Sequence, residues 1–234
     1  MRDFDIESID ASIAEERKEL DRWLDQEYGV QADRRHNGEV DCSYDRWEAV
    51  GAIVGRVFDH EAISRVSEET VTSILFFISR TEEIGSIIAW LRRDGPLSNV
   101  GDLRVSDFFF LCEASLARPE DFSDYELVTS FHKFPESDDD QTQLALRFFD
   151  RNDVYTKRMA IDVLASKHFA DVPALAEELW SFDDCEFTKL RCLFALKKME
   201  NGSQLLSQYL ASFRKLFDVE SSEYLPKVLN ELES

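Results

Sequence analysis

Residues 153–213 repeat themselves, and this constrains the fold more than anything else in the chain. DVYTKRMAIDVLASK, from Asp153, aligns with CEFTKLRCLFALKKM, from Cys185, at an offset of 32. Tyr155 falls on Phe187, Thr156 on Thr188, Lys157 on Lys189, Ala160 on Cys192, Ile161 on Leu193 and Leu164 on Leu196. VPALAEELWSF, from Val172, then aligns with SQLLSQYLASF, from Ser203, at an offset of 31, one residue being lost in the turn. Leu175 meets Leu206, Leu179 meets Leu210, Ser181 meets Ser212 and Phe182 meets Phe213. A unit of this length holds two antiparallel helices and a short turn. One such hairpin cannot bury both of its apolar faces, so it stacks on its neighbours.

The rest of the chain supports an all-α reading. Only 8 Gly and 5 Pro punctuate 234 residues, which suits helices joined by short turns. Ile6, Ile9, Ile13, Leu20, Trp23 and Leu24 form a helical stripe over 6–28, with a gap at 16–17, and Tyr28-Gly29 ends it. Residues 29–43 have no period and read as a loop. Trp47, Val50, Ile53, Val54 and Val57 mark the next helix, with Ser43 or Asp45 as its cap. Ser67, ahead of Glu68 and Glu69, caps a helix over 68–79 that is apolar almost all round and therefore buried. Thr81 starts another, stopped by Arg92-Arg93-Asp94-Gly95-Pro96. Ser106 is the expected cap of the Phe108–Leu116 segment. Further helices are expected near 121–132, 138–150, 154–168, 172–182, 185–199, 203–217 and 222–233. SILFF and DFFFLC have strand-like composition, but without hairpin turns they read as helices.

The repeat resembles the HEAT-like helical repeats, in particular the short kind of roughly 30 residues. The resemblance rests on the acidic start (Asn152-Asp153; Asp183-Asp184), the cation about four residues on (Lys157-Arg158; Lys189, Arg191), and the small residue plus aliphatics (Ala160, Ile161, Leu164; Cys192, Leu193, Leu196). It implies a right-handed α-α superhelix, an α-solenoid, in which the Asp caps its helix and pairs with a base of the adjacent repeat. A weaker unit precedes, with Asp124, Leu127, Val128 and Phe131, then Leu144, Leu146, Phe148 and Phe149. A divergent one follows, with Tyr224, Leu225, Val228, Leu229 and Leu232. On this basis 118–234 is the repeat region, and 1–117 is a helical region of degenerate repeats or a cap, continuous with it.

The chain carries 48 Asp plus Glu against 27 Lys plus Arg, a formal net charge of −21. Both halves share it, so no acidic tail accounts for it. Counterion release needs clustered cations, so direct binding to nucleic acid is not expected, and neither is electrostatic attachment to anionic lipid. The longest uncharged run, Asn201 to Phe213, is too short and too polar to span a bilayer. The start, MRDFDIESID, has no apolar core of a secretory signal. The expected location is the cytoplasm, with Cys42, Cys112, Cys185 and Cys192 as reduced thiols.

No catalytic motif stands out. His60-Glu61 lacks the second histidine of a zinc-protease helix, and His36, Asp41 and Cys42 lack a further ligand. His132 and His168 fall near helix C-termini, where a partial positive charge suits the dipole. There is no phosphate-cradling or nucleophile-elbow motif, and with so many acids no carboxylate pair is singled out. No catalytic residue, cofactor or metal is therefore expected. Arg34-Arg35 and Arg92-Arg93 have acids close by and read as solvated surface.

The informative acids sit at repeat junctions: Asp138, Asp139 and Asp140; Asp150 and Asp153; Asp183, Asp184 and Glu186. Each could merely cap its own helix. Two or three per turn exceed that need, and turns in equal phase along a stack would line up as an acidic ridge. An acidic body speeds capture of basic partners by long-range steering. Helical repeats of this kind occur among bacterial toxin-immunity proteins. The resulting expectation is a non-enzymatic protein-binding solenoid, an immunity protein whose ridge and concave helices (172–182, 203–217) occlude the active site of a basic toxin domain of nuclease type. The alternatives are a general HEAT-repeat scaffold or adaptor, and a HEAT-like enzyme of the nucleic-acid-acting or lyase kind.

Overall fold

Helices account for every regular element among the described residues, which in the computed structural model are 5–29, 44–58, 63–80, 86–92, 103–120, 122–134, 138–219 and 222–233. They are α1 (Ile6–Tyr28), α2 (Trp47–Phe58), α3 (Glu68–Ile78), α4 (Ser86–Leu91), α5 (Val105–Leu116), α6 (Phe122–Thr129), α7 (Asp138–Phe149), α8 (Val154–Ser166), α9 (Val172–Phe182), α10 (Glu186–Lys197), α11 (Ser203–Leu216) and α12 (Leu225–Glu233), with 3-10 turns at Ser130–Lys133 and Glu200–Gly202. SILFF and DFFFLC lie in α3 and α5. The chain divides into two units, 1–135 and 136–234. Helix α6, placed by sequence in the repeat half, belongs to the first unit and packs on α5 and α3.

In the first unit, Asp5 caps α1 by accepting the Ser8 amide at 3.2 Å, and Gly29 ends it at φ 82°, a left-handed conformation that favours glycine. Ile9, Ile13, Leu20 and Leu24 are buried against α2 and α3. The gap in this stripe is where α1 is tied to its neighbours by charge. Glu16 is buried and accepts from Arg46 at the start of α2, while the Arg17 guanidinium lies 3.3 Å from the centroid of the Phe76 ring on α3. Helix α3 is buried on most sides, with Ser67 as its cap. Ser106 does not cap α5. The helix starts two residues earlier than that cap implies, Arg104 holds the N-cap position, and the Asp107 carboxylate accepts the Arg104 amide at 3.4 Å. The Thr81 cap and the Ser43 option lie outside the described residues, as do His36, His60, Asp41, Cys42 and the Arg34-Arg35 pair.

In the second unit the repeat is physical. Residues paired by the sequence offset have matched environments: Thr156 and Thr188, Ala160 and Cys192, Ile161 and Leu193, and Leu164 and Leu196 are all 0% exposed. The α8–α9 and α10–α11 hairpins lie in register. Asp162 on α8 accepts from Arg191 on α10 at 2.6 Å. Trp180 on α9 stacks on Tyr209 of α11 at 4.2 Å between centroids. Asn201 Nδ2 donates to the Ala170 carbonyl at 3.4 Å, joining one turn to the next. Asp171 and Gly202, equivalent by the offset of 31, share φ −87°. Gly202 is needed because a Cβ there would overlap the Leu196 carbonyl at the end of α10. Helix α8 ends with His168 at φ 53°, the Phe169 amide reaching back to Leu164 at 3.0 Å. Helix α12 starts at Leu225 rather than 222, because the Ser222 hydroxyl accepts the Tyr224 and Leu225 amides at 3.4 and 3.2 Å and makes 222–224 a turn.

Candidate protein-binding edge

The starts of α8, α10 and α12 lie side by side. Helix α10 packs on both others. Arg158 in the first turns of α8 sits 5.1 Å from the Tyr155 ring and 5.9 Å from the Phe187 ring of α10. The Tyr224 hydroxyl, just before α12, donates to Glu186 at the start of α10. These contacts define one edge of the second unit, where the acids at 153 and 183–186 are found.

The structure sorts those acids into different jobs. Asp153 caps α8, accepting the Thr156 amide and hydroxyl, both at 2.7 Å. Asp183 does not cap α10. That N-cap is Cys185, which makes no side-chain cap bond, and Asp183 instead accepts the Thr188 hydroxyl. Asp184 points to solvent, 3.2 Å from Lys189 Nζ. Glu186 is held by Tyr224. Asp140 and Asp150 are exposed and have no side-chain partner among the described residues. Helix α7 begins at Asp138, but the side chains of Asp138 and Asp139 lie outside the described residues. The inter-repeat ion pair that the resemblance assigns to a cap acid is made by Asp162, in mid-helix. Burial pushes the Asp162 carboxyl above its ordinary value even with Arg191 beside it.

The lysines of this edge turn inward. Lys157 and Lys189 are 5% and 2% exposed. Lys157 Nζ donates to the Phe149 carbonyl at the end of α7, at 2.5 Å, and reaches Glu178 at 3.3 Å. Lys189 Nζ donates to the Trp180 carbonyl near the end of α9. Each repeat therefore uses its lysine to satisfy the carbonyl end of the preceding helix, where a cation is favoured. Lys157 is thus shared between the Phe149 carbonyl and Glu178, and Lys189 between the Trp180 carbonyl below and Asp184 above.

The rings do the opposite. Tyr155, Phe187 and Tyr224 are 50%, 57% and 44% exposed, and Phe182 at the end of α9 is 49% exposed. Four of the seven large apolar side chains that are exposed among the described residues fall on this edge. Sequence reasoning paired Tyr155 with Phe187 but assigned neither to the surface. The available signal was their place in the first turn, on the side of the helix away from Ala160, Ile161 and Leu164.

Cys192 is buried, its thiol pushed up to about 12, and burial likewise raises Cys112. Cys185 is exposed. Among the described residues no group of three His, Cys, Asp or Glu is arranged to hold a metal ion. A cleft between α1 and α3 in the first unit has its donors taken, since Asp10 already accepts the Thr70 hydroxyl at 2.6 Å and the Ser67 amide at 3.3 Å. Among the described residues, no helix is long and apolar enough to cross a membrane. No family model, curated protein or solved structure matches the chain.

Proposed function

We propose that this chain is a non-enzymatic, cytoplasmic protein-binding solenoid of HEAT-like type, whose stacked hairpins continue as a right-handed superhelix, and that it neutralises a basic toxin domain of nuclease type by covering its active site. The observation that carries this reading is the division of labour at the starts of α8 and α10: lysines face inward as helix caps, while Asp184 and the aromatic rings face outward. A net charge of −21 adds steering toward a basic surface. A protein that occludes a nuclease needs only complementarity to the cationic groove that would otherwise hold phosphates, and an acidic edge supplies it.

The test is inhibition of a cationic nuclease domain encoded beside this gene. Wild-type protein inhibits it, and inhibition weakens as salt rises. Asp183→Lys plus Asp184→Lys abolishes inhibition. So does Asp150→Lys plus Asp184→Lys, which leaves the cap and hydroxyl bonds of α8 and α10 intact. Inhibition indifferent to salt and to both pairs overturns the proposal.

A further inference from the structure

Charge alone does not explain the rings. Solubility and steering are served by carboxylates, and a tyrosine or phenylalanine half in water buries only part of its apolar surface. Yet the ring recurs at the same phase in both repeats, Tyr155 and Phe187, and Tyr224 continues the row at α12. Between the first two sits a guanidinium, that of Arg158, within cation–π range of both. The edge thus already contains one arginine held against aromatic faces. Carboxylates surround the outward side: Asp184 is exposed, Glu186 is half-buried, and Glu223 is exposed beside Tyr224.

We infer that the edge formed by Tyr155, Phe187 and Tyr224 is an arginine-reading surface: it takes an arginine-bearing segment of a basic protein, with guanidinium groups lying on the exposed rings and bonded to Asp184, Glu186 and Glu223. This rests on the basic-partner reading above and specifies its chemistry. Arginine is favoured over lysine because its planar, weakly hydrated guanidinium stacks on a ring and presents a fork to a carboxylate at once, whereas an ammonium is a hydrated point charge. The occupant follows from charge complementarity. Nucleic acid is repelled here, and a neutral apolar segment would strand the carboxylates.

The experiment titrates the full chain with octa-arginine and octa-lysine peptides at low and moderate salt, by calorimetry. Wild type is expected to bind octa-arginine about tenfold more tightly than octa-lysine. In Tyr155→Leu/Phe187→Leu, which keeps the net charge and an apolar side chain at both positions, that preference collapses to about unity while octa-lysine binding is unchanged. Equal thermal melting of variant and wild type checks the fold, and Tyr224→Phe, which keeps its ring, retains the preference. Equal affinity of wild type for the two peptides overturns the inference but leaves a basic partner in place. Undiminished preference in the double variant also overturns it. No binding of either peptide at low salt removes the basic-partner reading itself.

Discussion

The α8–α9 and α10–α11 hairpins solve the same problems with different residues. At the start of α8, Asp153 caps the helix directly. At the start of α10, Cys185 occupies the cap position and contributes no side-chain bond, and Asp183, two residues upstream, holds only the threonine hydroxyl. At the turns, Asp171 and Gly202 share a backbone conformation, but only at Gly202 does the chain pass so close to the preceding helix that a Cβ does not fit. What does not vary is the buried lysine and the exposed ring. The invariant parts define the unit, and the caps are interchangeable.

The comparison can be broken most severely at the turns. Gly202→Ala is expected to cost about 3 kcal/mol, the overlap being with backbone that cannot step aside, whereas Asp171→Ala is expected to leave stability nearly unchanged; chemical denaturation reads both. The lysines come next. Lys157→Met and Lys189→Met should each lose about 2 kcal/mol, because each orphans a helix-end carbonyl, and the near-equality of the two losses is itself the prediction. Caps follow. Asp153→Ala should cost about 1 kcal/mol, while Cys185→Ser, which supplies the missing cap oxygen, should stabilise by about half that.

The smallest effect is a pH dependence. Burial raises the Asp162 carboxyl above its ordinary value of 3.8. A raised folded-state value means the unionised form is favoured by folding, so that contribution is present at low pH and lost as pH rises through the shifted titration. The stability of Asp162→Asn relative to wild type should therefore drift in the variant's favour between about pH 3 and pH 7. Urea midpoints across that range measure it, and a drift in the opposite direction would show that the Arg191 pairing outweighs burial.

How much of this the sequence revealed depended on range. The helices were legible wherever an apolar stripe ran unbroken, as in α3 and α8, because periodicity is local. The repeat was legible because Thr156, Lys157 and Ala160 recur as a block. Ser106 misled because any serine before an apolar run resembles a cap, and nothing local shows that Asp107 takes the role. The gap in α1 at Glu16 and Arg17 looked like weak patterning, yet its partners Arg46 and Phe76 lie 30 and 59 residues away in sequence. The acids of the candidate edge were visible, but the rings were not, because a sequence cannot tell a first-turn aromatic that faces water from one that faces the core. The inward turn of Lys157 and Lys189 was equally hidden, since a lysine is ordinarily assigned to the surface.

The central claim is that a basic protein settles on the starts of α8, α10 and α12. Amide hydrogen exchange of the full chain, with and without the cationic nuclease domain, tests it directly, because first-turn amides lack helical partners and exchange quickly until covered. The account predicts new protection concentrated at residues 150–158, 182–190 and 222–226. Protection confined to residues 1–135, or spread evenly along the chain, would contradict it.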